Sequence, residues 1–432
     1  MSDTSKRHAR RTVARHGQLP KANPVRQLLA MIGIALSVVL VAGIGLAAYV
    51  AYDLTSTFAS DAVELDGQTE VPDIGELDNR GVNILLLGLD ICEEQYEQVM
   101  GDRCKGKEYD EDGREPNANS DVMMLLNISP EPRRVTVVSF PRDIMTDLPV
   151  CTNEDGNEVG GGFGQLNSAY SYGGLNCAAN AVGDLTGLKI DHAASITWGG
   201  VISMTSAIGG VTVCVGTPID DPEAGAYFSA GEHTIEGAQA LAFLRTRHGV
   251  GNGSDLGRIS NQQVYLSALV NKLLSEDTLN DWGKLFSLAR TAVENIEPST
   301  GLTDPIYLAR VALAVKDVPL EDFQFVQYPV FDWAQDRNRV IPDEENAAIL
   351  MQALEQNLPI DPQAGVGSVS ADGEPEPTEP PAEETQPPAE QPQTEQPPAT
   401  DAPAPDATEP VAPSNVFGQT AADARCSAGN AG

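Results

Sequence analysis

The chain has 432 residues and a formal net charge of −35, from 62 acidic against 27 basic side chains. That balance excludes a general nucleic-acid binder, because a polyanion is drawn to basic surfaces. The length allows one large domain or two ordinary ones with appendages, and six cysteines are too few for a disulfide scaffold of that size.

Residues 1–27 carry Lys6, Arg7, Arg10, Arg11, Arg15, Lys21 and Arg26 against one acid, Asp3, with little apolar content. They are expected to form a disordered basic tail in the cytoplasm. Residues 28–50 contain no charge; as a helix they would extend about 34 Å, enough to cross a bilayer. Acids follow at Asp53, Asp61, Glu64 and Asp66. A basic flank before the span and an acidic one after it predict a single-pass anchor in the cell membrane, with everything beyond it extracytoplasmic. Residues 51–80 are polar and acidic, and read as a stalk.

The globular region is placed at 81–360. Val82–Leu87 is a continuous apolar run of strand length, so Asp90 falls at a strand's C-terminal end, where α/β sheets build their sites. Asp121 opens a second run, SDVMMLLNI, and Arg142 closes a third, RVTVVSFPRD. Two acids so placed suit a hard divalent cation, Mg²⁺ or Mn²⁺, held together with substrate phosphates. Between the first two strands, residues 91–119 form a hydrophilic insertion with Cys92 and Cys104, expected to be an exposed loop. Within it GDRCKGK imitates a phosphate-binding loop, but Glu108 stands where Ser or Thr is required.

Further on, GNEVGGGFG (156–164) reads as a glycine-rich loop. Asn167, Ser168, Tyr170 and Tyr172 are equally suited to contacting a sugar or lipid and to ordinary packing. A helix at 177–188 ends at a glycine, HAASITW is a strand, residues 198–210 form a short helix, and VTVCV is another strand. Strands alternating with helices imply an α/β domain with a layered sheet flanked by helices.

Residues 237–274 gather the basic side chains. Arg245 and Arg247 stand two apart, so on an extended segment they share a face. Glycines 249, 251 and 253 make a loop, and Ser254 or Asp255 caps a helix beginning near Leu256. Arg258 and Gln262, four apart, lie on one helical face, while Ile259, Leu266, Leu269, Val270 and Leu273 form the buried stripe. Arginines at a helix N-terminus point to an anion site. Residues 281–358 continue the domain with two amphipathic helices, a strand (FQFVQYPV) and a closing helix. From 361 to 432 the composition turns to Pro, Glu, Thr, Gln and Ala, a disordered acidic tail whose last segment holds Cys426. Outside the cytoplasm the economical disulfides are Cys92–Cys104 and Cys151–Cys177, with Cys214 and Cys426 left over.

NILLLGLD, SDVMMLL, VSFPRD, LNSAYSYGG, GGVTVCV, AGEHTIEGAQALAFLRTRH and GSDLGRISNQQ occur in this order over roughly residues 82–358. In this the chain resembles the LytR-CpsA-Psr (LCP) family of membrane-anchored cell-wall phosphotransferases. The resemblance implies transfer of a glycopolymer with its phosphate from a polyprenyl-pyrophosphate carrier to peptidoglycan, with a divalent metal. It implies Asp90 and Asp121 as metal-linked acids, and Arg142, Arg245 and Arg247 as pyrophosphate-binding arginines. It also implies a second group, Asp255, Arg258 and Gln262, with Asp121 or Asp255 as the base and Arg142 beside the reacting phosphate. The family carries an arginine immediately before Ser-Asp, where this chain has Asn119, and often another after the first Asp, where it has Ile91 and Cys92. Arg103 or Arg114 of the insertion would have to supply such a contact. The competing readings are a polyprenyl-pyrophosphate pyrophosphatase, with water as acceptor, and a non-catalytic lipid-binding tether.

Overall fold

The computed structural model describes residues 56–60, 62–66, 80–100, 103–110, 114–115, 119–153, 155–371, 411, 413 and 415–430. The expected basic tail, the apolar span at 28–50, most of the stalk and residues 372–410 lie outside them. No helix among the described residues is long and apolar enough to cross a membrane.

A seven-stranded mixed sheet forms the centre. Its chain-order strands are β1 (Val82–Leu89), β2 (Ser120–Ile128), β3 (Val135–Phe140), β6 (His192–Thr197), β11 (Ile296–Pro298), β12 (Phe323–Gln327) and β16 (Gly418–Thr420), arranged β11-β6-β1-β2-β3-β12-β16. β1 runs parallel to β6, β3 parallel to β12, and β2 antiparallel to both β1 and β3. The end of β1, the start of β2 and the end of β3 therefore meet at one edge of the sheet. Pairing of Leu89 with Ser120 and of Met123 with Phe140 sets this register.

Alternation along β1 decides which side chains face which layer. Leu85, Leu87 and Leu89 enter the main core with Leu125, Val138 and Phe140. That core is closed by α1 (Ser168–Thr186), through Ala178 and Val182, and by α7 (Glu344–Glu355), through Leu350 and Leu354. On the other face Val82 and Ile84 pack with Tyr307 of α6 (Pro305–Val315), while Met124 and Val137 meet Leu266 and Val270 of α4 (Asp255–Leu273). Among the described residues the cover there is incomplete. Leu86 is 36% exposed in a central strand, and α5 (Trp282–Asn295) has no buried residue.

A second sheet combines β10 (Gly231–Ile235), β7 (Val211–Thr217), β17 (Arg425–Ala428) and β15 (Ser368–Ser370) in that order. α2 (Trp198–Ala207) leads into β7, and α3 (Gly237–Arg245) follows β10. The hairpin β8 (Ile219–Asp221) and β9 (Ala226–Phe228) stands beside them.

Several sequence expectations change. The glycine-rich loop is a strand: β5 (Glu158–Gln165) pairs with β4 (Met145–Thr152) through backbone hydrogen bonds that need no side chain. The tail assigned from residue 361 is folded at both ends, because β15, β16 and β17 fill sheet edges that would otherwise be open. Cys214 and Cys426, the two left over, are bonded to each other, alongside the expected Cys92–Cys104 and Cys151–Cys177 pairs. Part of the stalk is docked: Val63 bridges to Ser299, Leu65 is buried, and Asp66 accepts from Asn176 and Asn180. The insertion also has a buried root, since Cys92 and Cys104 pack with Met100, Trp198 and Leu241.

Candidate functional site

The shared sheet edge delivers Asp90, Asp121 and Arg142 to one cavity of about 230 Å³, which Arg103, Arg245, Arg247, Arg258, Trp198 and Asp221 also line. Arg142 Nη1 lies 2.8 Å from Asp121 Oδ2, and Arg142 Nε lies 3.6 Å from Asp143 and 3.8 Å from Asp255. Asp143, next in the chain, is held by Arg339 at 2.9 Å and by the Gln165 amide at 3.0 Å. Arg142 is thereby clamped among acids. Burial alone would depress its pKa, but Asp121, Asp255 and Asp143 outweigh burial and raise it.

The other arginines come from the turn between α3 and α4. Arg245 ends α3 rather than sitting on an extended segment, so it does not share a strand face with Arg247. A helix leaves its last carbonyls unpaired; here α4 satisfies them, Asn261 Nδ2 donating to Phe243 O at 2.6 Å and Gln262 Nε2 to Leu244 O at 3.0 Å. Gln262, expected at the pyrophosphate, is thus buried behind the arginines and is not among the cavity-lining residues. The guanidinium carbon of Arg245 rests 3.8 Å from the centroid of the Trp198 ring, a desolvated cation–π contact. Burial pulls its pKa down, against the pull of Asp90 and Asp121.

After Arg245 the chain wraps around Asp221. Its carboxylate accepts from Thr246 Oγ1 at 2.8 Å, Arg247 N at 3.0 Å and Gly249 N at 3.2 Å. A Cβ on Gly249 would come within 2.9 Å of Asp221 Cβ, so the close approach requires glycine there. Ser254 then caps α4, accepting from Gly257 N at 3.3 Å. One turn in, Arg258 Nη2 reaches the Asp121 carbonyl at 3.0 Å and Asp255 Oδ1 at 2.6 Å. Asp255 does not line the cavity; it sits behind Arg258 as its buried counter-ion.

Asp90 lies against Arg103, with Nη2 to Oδ1 at 3.0 Å. Burial and then the neighbouring Asp121 raise its pKa, only partly offset by Arg103 and Arg245. Arg114 lies elsewhere, among Glu93, Glu94 and Glu294. Asn167, Ser168, Tyr170 and Tyr172 open α1 or precede it and do not line the cavity; the Tyr170 hydroxyl donates to Glu297 at 3.4 Å. Asp221 and Trp198 carried no signal in the sequence that would single them out, since both act through residues distant in the chain.

Five arginines and four carboxylates line this cavity, with Asp143 and Asp255 behind them, so basic side chains concentrate here in a strongly acidic protein. The Nε atoms of Arg142, Arg247 and Arg258 are buried without a hydrogen-bond partner among the described residues. Buried donors are ordinarily paired; that of Arg142 faces Asp143 and Asp255 at 3.6 and 3.8 Å, beyond hydrogen-bond reach. Asp90 and Asp121 reach the same cavity, each paired with an arginine, Arg103 at 3.0 Å and Arg142 at 2.8 Å; among the described residues no group of three or more His, Cys, Asp or Glu side chains gathers to hold a metal. Two larger grooves, of about 550 and 570 Å³, meet at Asp184 and Gly187. Asp147, Asp184 and Glu344 along them have the wrong sign for phosphate.

The sequence profile of the LytR_cpsA_psr family matches residues 48–356. The chain is 31% identical over 281 residues to the cell wall biosynthesis protein LcpA of Corynebacterium glutamicum, covering 61% of this chain and 52% of that one. It is 26% identical over 265 residues to the polyisoprenyl-teichoic acid–peptidoglycan teichoic acid transferase TagU of Enterococcus faecalis, 61% of this chain and 76% of that protein. Protein gbs0355 from Streptococcus agalactiae shares the fold with a TM-score of 0.51 at 25% identity, over 65% of this chain and 88% of that structure. The chain spans about half the length of the curated relatives it matches first.

Proposed function

The chain belongs to the LytR_cpsA_psr family, and from that premise we propose that it is a membrane-anchored phosphotransferase moving a glycopolymer with its phosphate from a polyprenyl-pyrophosphate carrier to peptidoglycan. The observation that carries the proposal is the convergence of Arg142, Arg245, Arg247 and Arg258 with Asp90 and Asp121 at one cavity. The relatives' named activities in cell wall biosynthesis and teichoic acid transfer support the substrate class.

In this reading the arginines bind and orient the pyrophosphate, and their charge is worth most where water is excluded. The acceptor hydroxyl attacks the sugar-side phosphorus, the bridging P–O bond breaks, and polyprenyl phosphate leaves. The hydroxyl proton passes to Asp121, the one of the two candidate bases that lines the cavity. Asp255 fixes Arg258 instead. Asp90 and Asp121 would hold Mg²⁺ or Mn²⁺, which supplies charge neutralisation on the phosphate oxygens. The half-covered sheet face, with Leu86 exposed and Leu126, Leu266 and Val311 partly buried, offers apolar surface for a polyprenyl chain. The apolar run at 28–50 would keep the domain at the outer face of the cytoplasmic membrane, beside both partners.

The test uses the full chain in detergent with a polyprenyl-pyrophosphate oligosaccharide, peptidoglycan fragments and Mg²⁺, followed by mass spectrometry. A sugar phosphate on the acceptor is expected, with Arg245→Ala lowering the rate by about a hundredfold or more. Free phosphate-ended saccharide as the only product would make the protein a pyrophosphatase, and intact bound lipid would make it a tether.

A further inference from the structure

Arg103 is the site arginine supplied by the insertion between β1 and β2. It immediately precedes Cys104, whose bond to Cys92 ties the insertion back to a point two residues beyond Asp90. Both cysteines are fully buried, packed with Met100, Trp198 and Leu241. The backbone at Arg103 is therefore anchored at the rim of the cavity.

From this rim the side chain turns inward. Nη2 donates to Asp90 Oδ1 at 3.0 Å, and Nη1 lies 3.5 Å from Glu115 Oε2, a carboxylate that Lys107 also engages. Its guanidinium carbon is 5.9 Å from the centroid of the Trp198 ring on which Arg245 rests. The side chain keeps 35% of its surface exposed while lining the cavity. Nη1 also approaches Cys92 Sγ at 3.6 Å and Nη2 the Asp90 carbonyl at 3.5 Å; the long contacts, those to Glu115, Cys92 and the carbonyl, are the ones an incoming phosphate oxygen would displace, while the 3.0 Å bond to Asp90 holds the guanidinium in place. β1 and β2 carry no arginine of their own at this edge, where Ile91, Cys92 and Asn119 stand.

We propose that Arg103 is a phosphate-binding residue of this site and that the Cys92–Cys104 disulfide is the device that positions it. The proposal rests on the pyrophosphate reading above and adds to it a residue outside the strand ends and the α3–α4 turn. The disulfide closes a short loop of sequence separation 12, which limits where Arg103 can go. Without it the insertion keeps its sequence but loses its attachment beside Asp90, and the guanidinium becomes a solvated surface charge.

The experiment measures inorganic pyrophosphate binding by calorimetry on the full chain in detergent, with thermal unfolding recorded for each variant. Wild type is expected to bind, and Arg103→Gln to weaken binding by about tenfold with little change in melting temperature, the loss of charge-assisted hydrogen bonds to the ligand. Cys92→Ser with Cys104→Ser is expected to reproduce that loss, and adding Arg103→Gln to this pair to cost nothing more. Wild-type affinity in Arg103→Gln would overturn the assignment, whether or not the disulfide variant folds. A folded disulfide variant with full affinity would overturn the positioning role. Failure of wild type itself to bind pyrophosphate would instead bring down the phosphotransferase reading.

Discussion

Asp221 illustrates how much of the site depends on a residue that touches none of the chemistry. It is almost fully buried, and its carboxylate gathers Thr246, Arg247, Gly249, Glu223 and Ala224 through side-chain and backbone donors. Burial alone would raise its pKa; these hydrogen bonds outweigh burial and hold it below the ordinary 3.8. A depressed carboxylate pKa contributes stability that is present above the unfolded value and lost as pH falls through the folded one. Asp221→Asn turns an amide N–H₂ toward donors, and is expected to cost about 2 kcal/mol at neutral pH. The gap to wild type should narrow below pH 3.8, as read from urea unfolding at several pH values. A gap independent of pH would mean that the carboxylate charge is not what organises the turn. Pyrophosphate affinity is expected to fall with it, because Arg247 loses its backbone anchor.

At the scale of elements, the C-terminal segment is a structural clasp. β16 extends the central sheet beside β12, β17 slots between β7 and β15, and Cys426 bonds Cys214 across a sequence separation of 212. Two hydrogen bonds, one buried and one half-buried, secure it to α4: Gln419 Nε2 donates to Gln263 O at 3.2 Å, and Asn271 Nδ2 to Ala421 O at 2.9 Å. Since α4 carries Arg258, the clasp and the site share a helix. Closing so long a loop restricts the unfolded chain by roughly 5 kcal/mol in the loop-entropy account. Cys214→Ala with Cys426→Ala is expected to lower the melting temperature by about 10 °C or more, and an unchanged melting temperature would show that strand pairing alone holds the segment. The composition-based reading of a tail that is disordered throughout failed here because β16 and β17 are only three and four residues long. Such short strands leave no periodic signal; they exist because edges formed elsewhere accept them.

For the whole molecule, the decisive contrast is between a net charge of −35 and a cavity where five arginines face four carboxylates. An anionic ligand of that cavity would approach against the net charge and bind at the local one, so its association and its affinity are expected to respond oppositely to salt. Raising ionic strength from about 0.01 to about 0.15 M shortens the Debye length from roughly 30 to 8 Å. Stopped-flow association of an anionic glycopolymer is expected to speed up over that range while the dissociation rate rises more; an association rate that falls would place the steering charge at the cavity. The sequence alone determined the α/β class, most of the strands and helices, two of the three disulfides, and the placing of Asp90, Asp121 and Arg142 at strand ends, because these rest on local periodicity, capping and spacing. Only the tertiary structure decided that Asp90, Asp121 and Arg142 meet across antiparallel strands and that Gln262 and Asp255 stand behind the arginines. It alone joined Trp198 and Asp221 to Arg245 and Arg247, and Cys426 to Cys214. The physical reason is shared: apart from the Asp255–Arg258 pair, one helical turn apart, each of these contacts is made between segments far apart in the chain, and no local pattern encodes which partner a buried group will find.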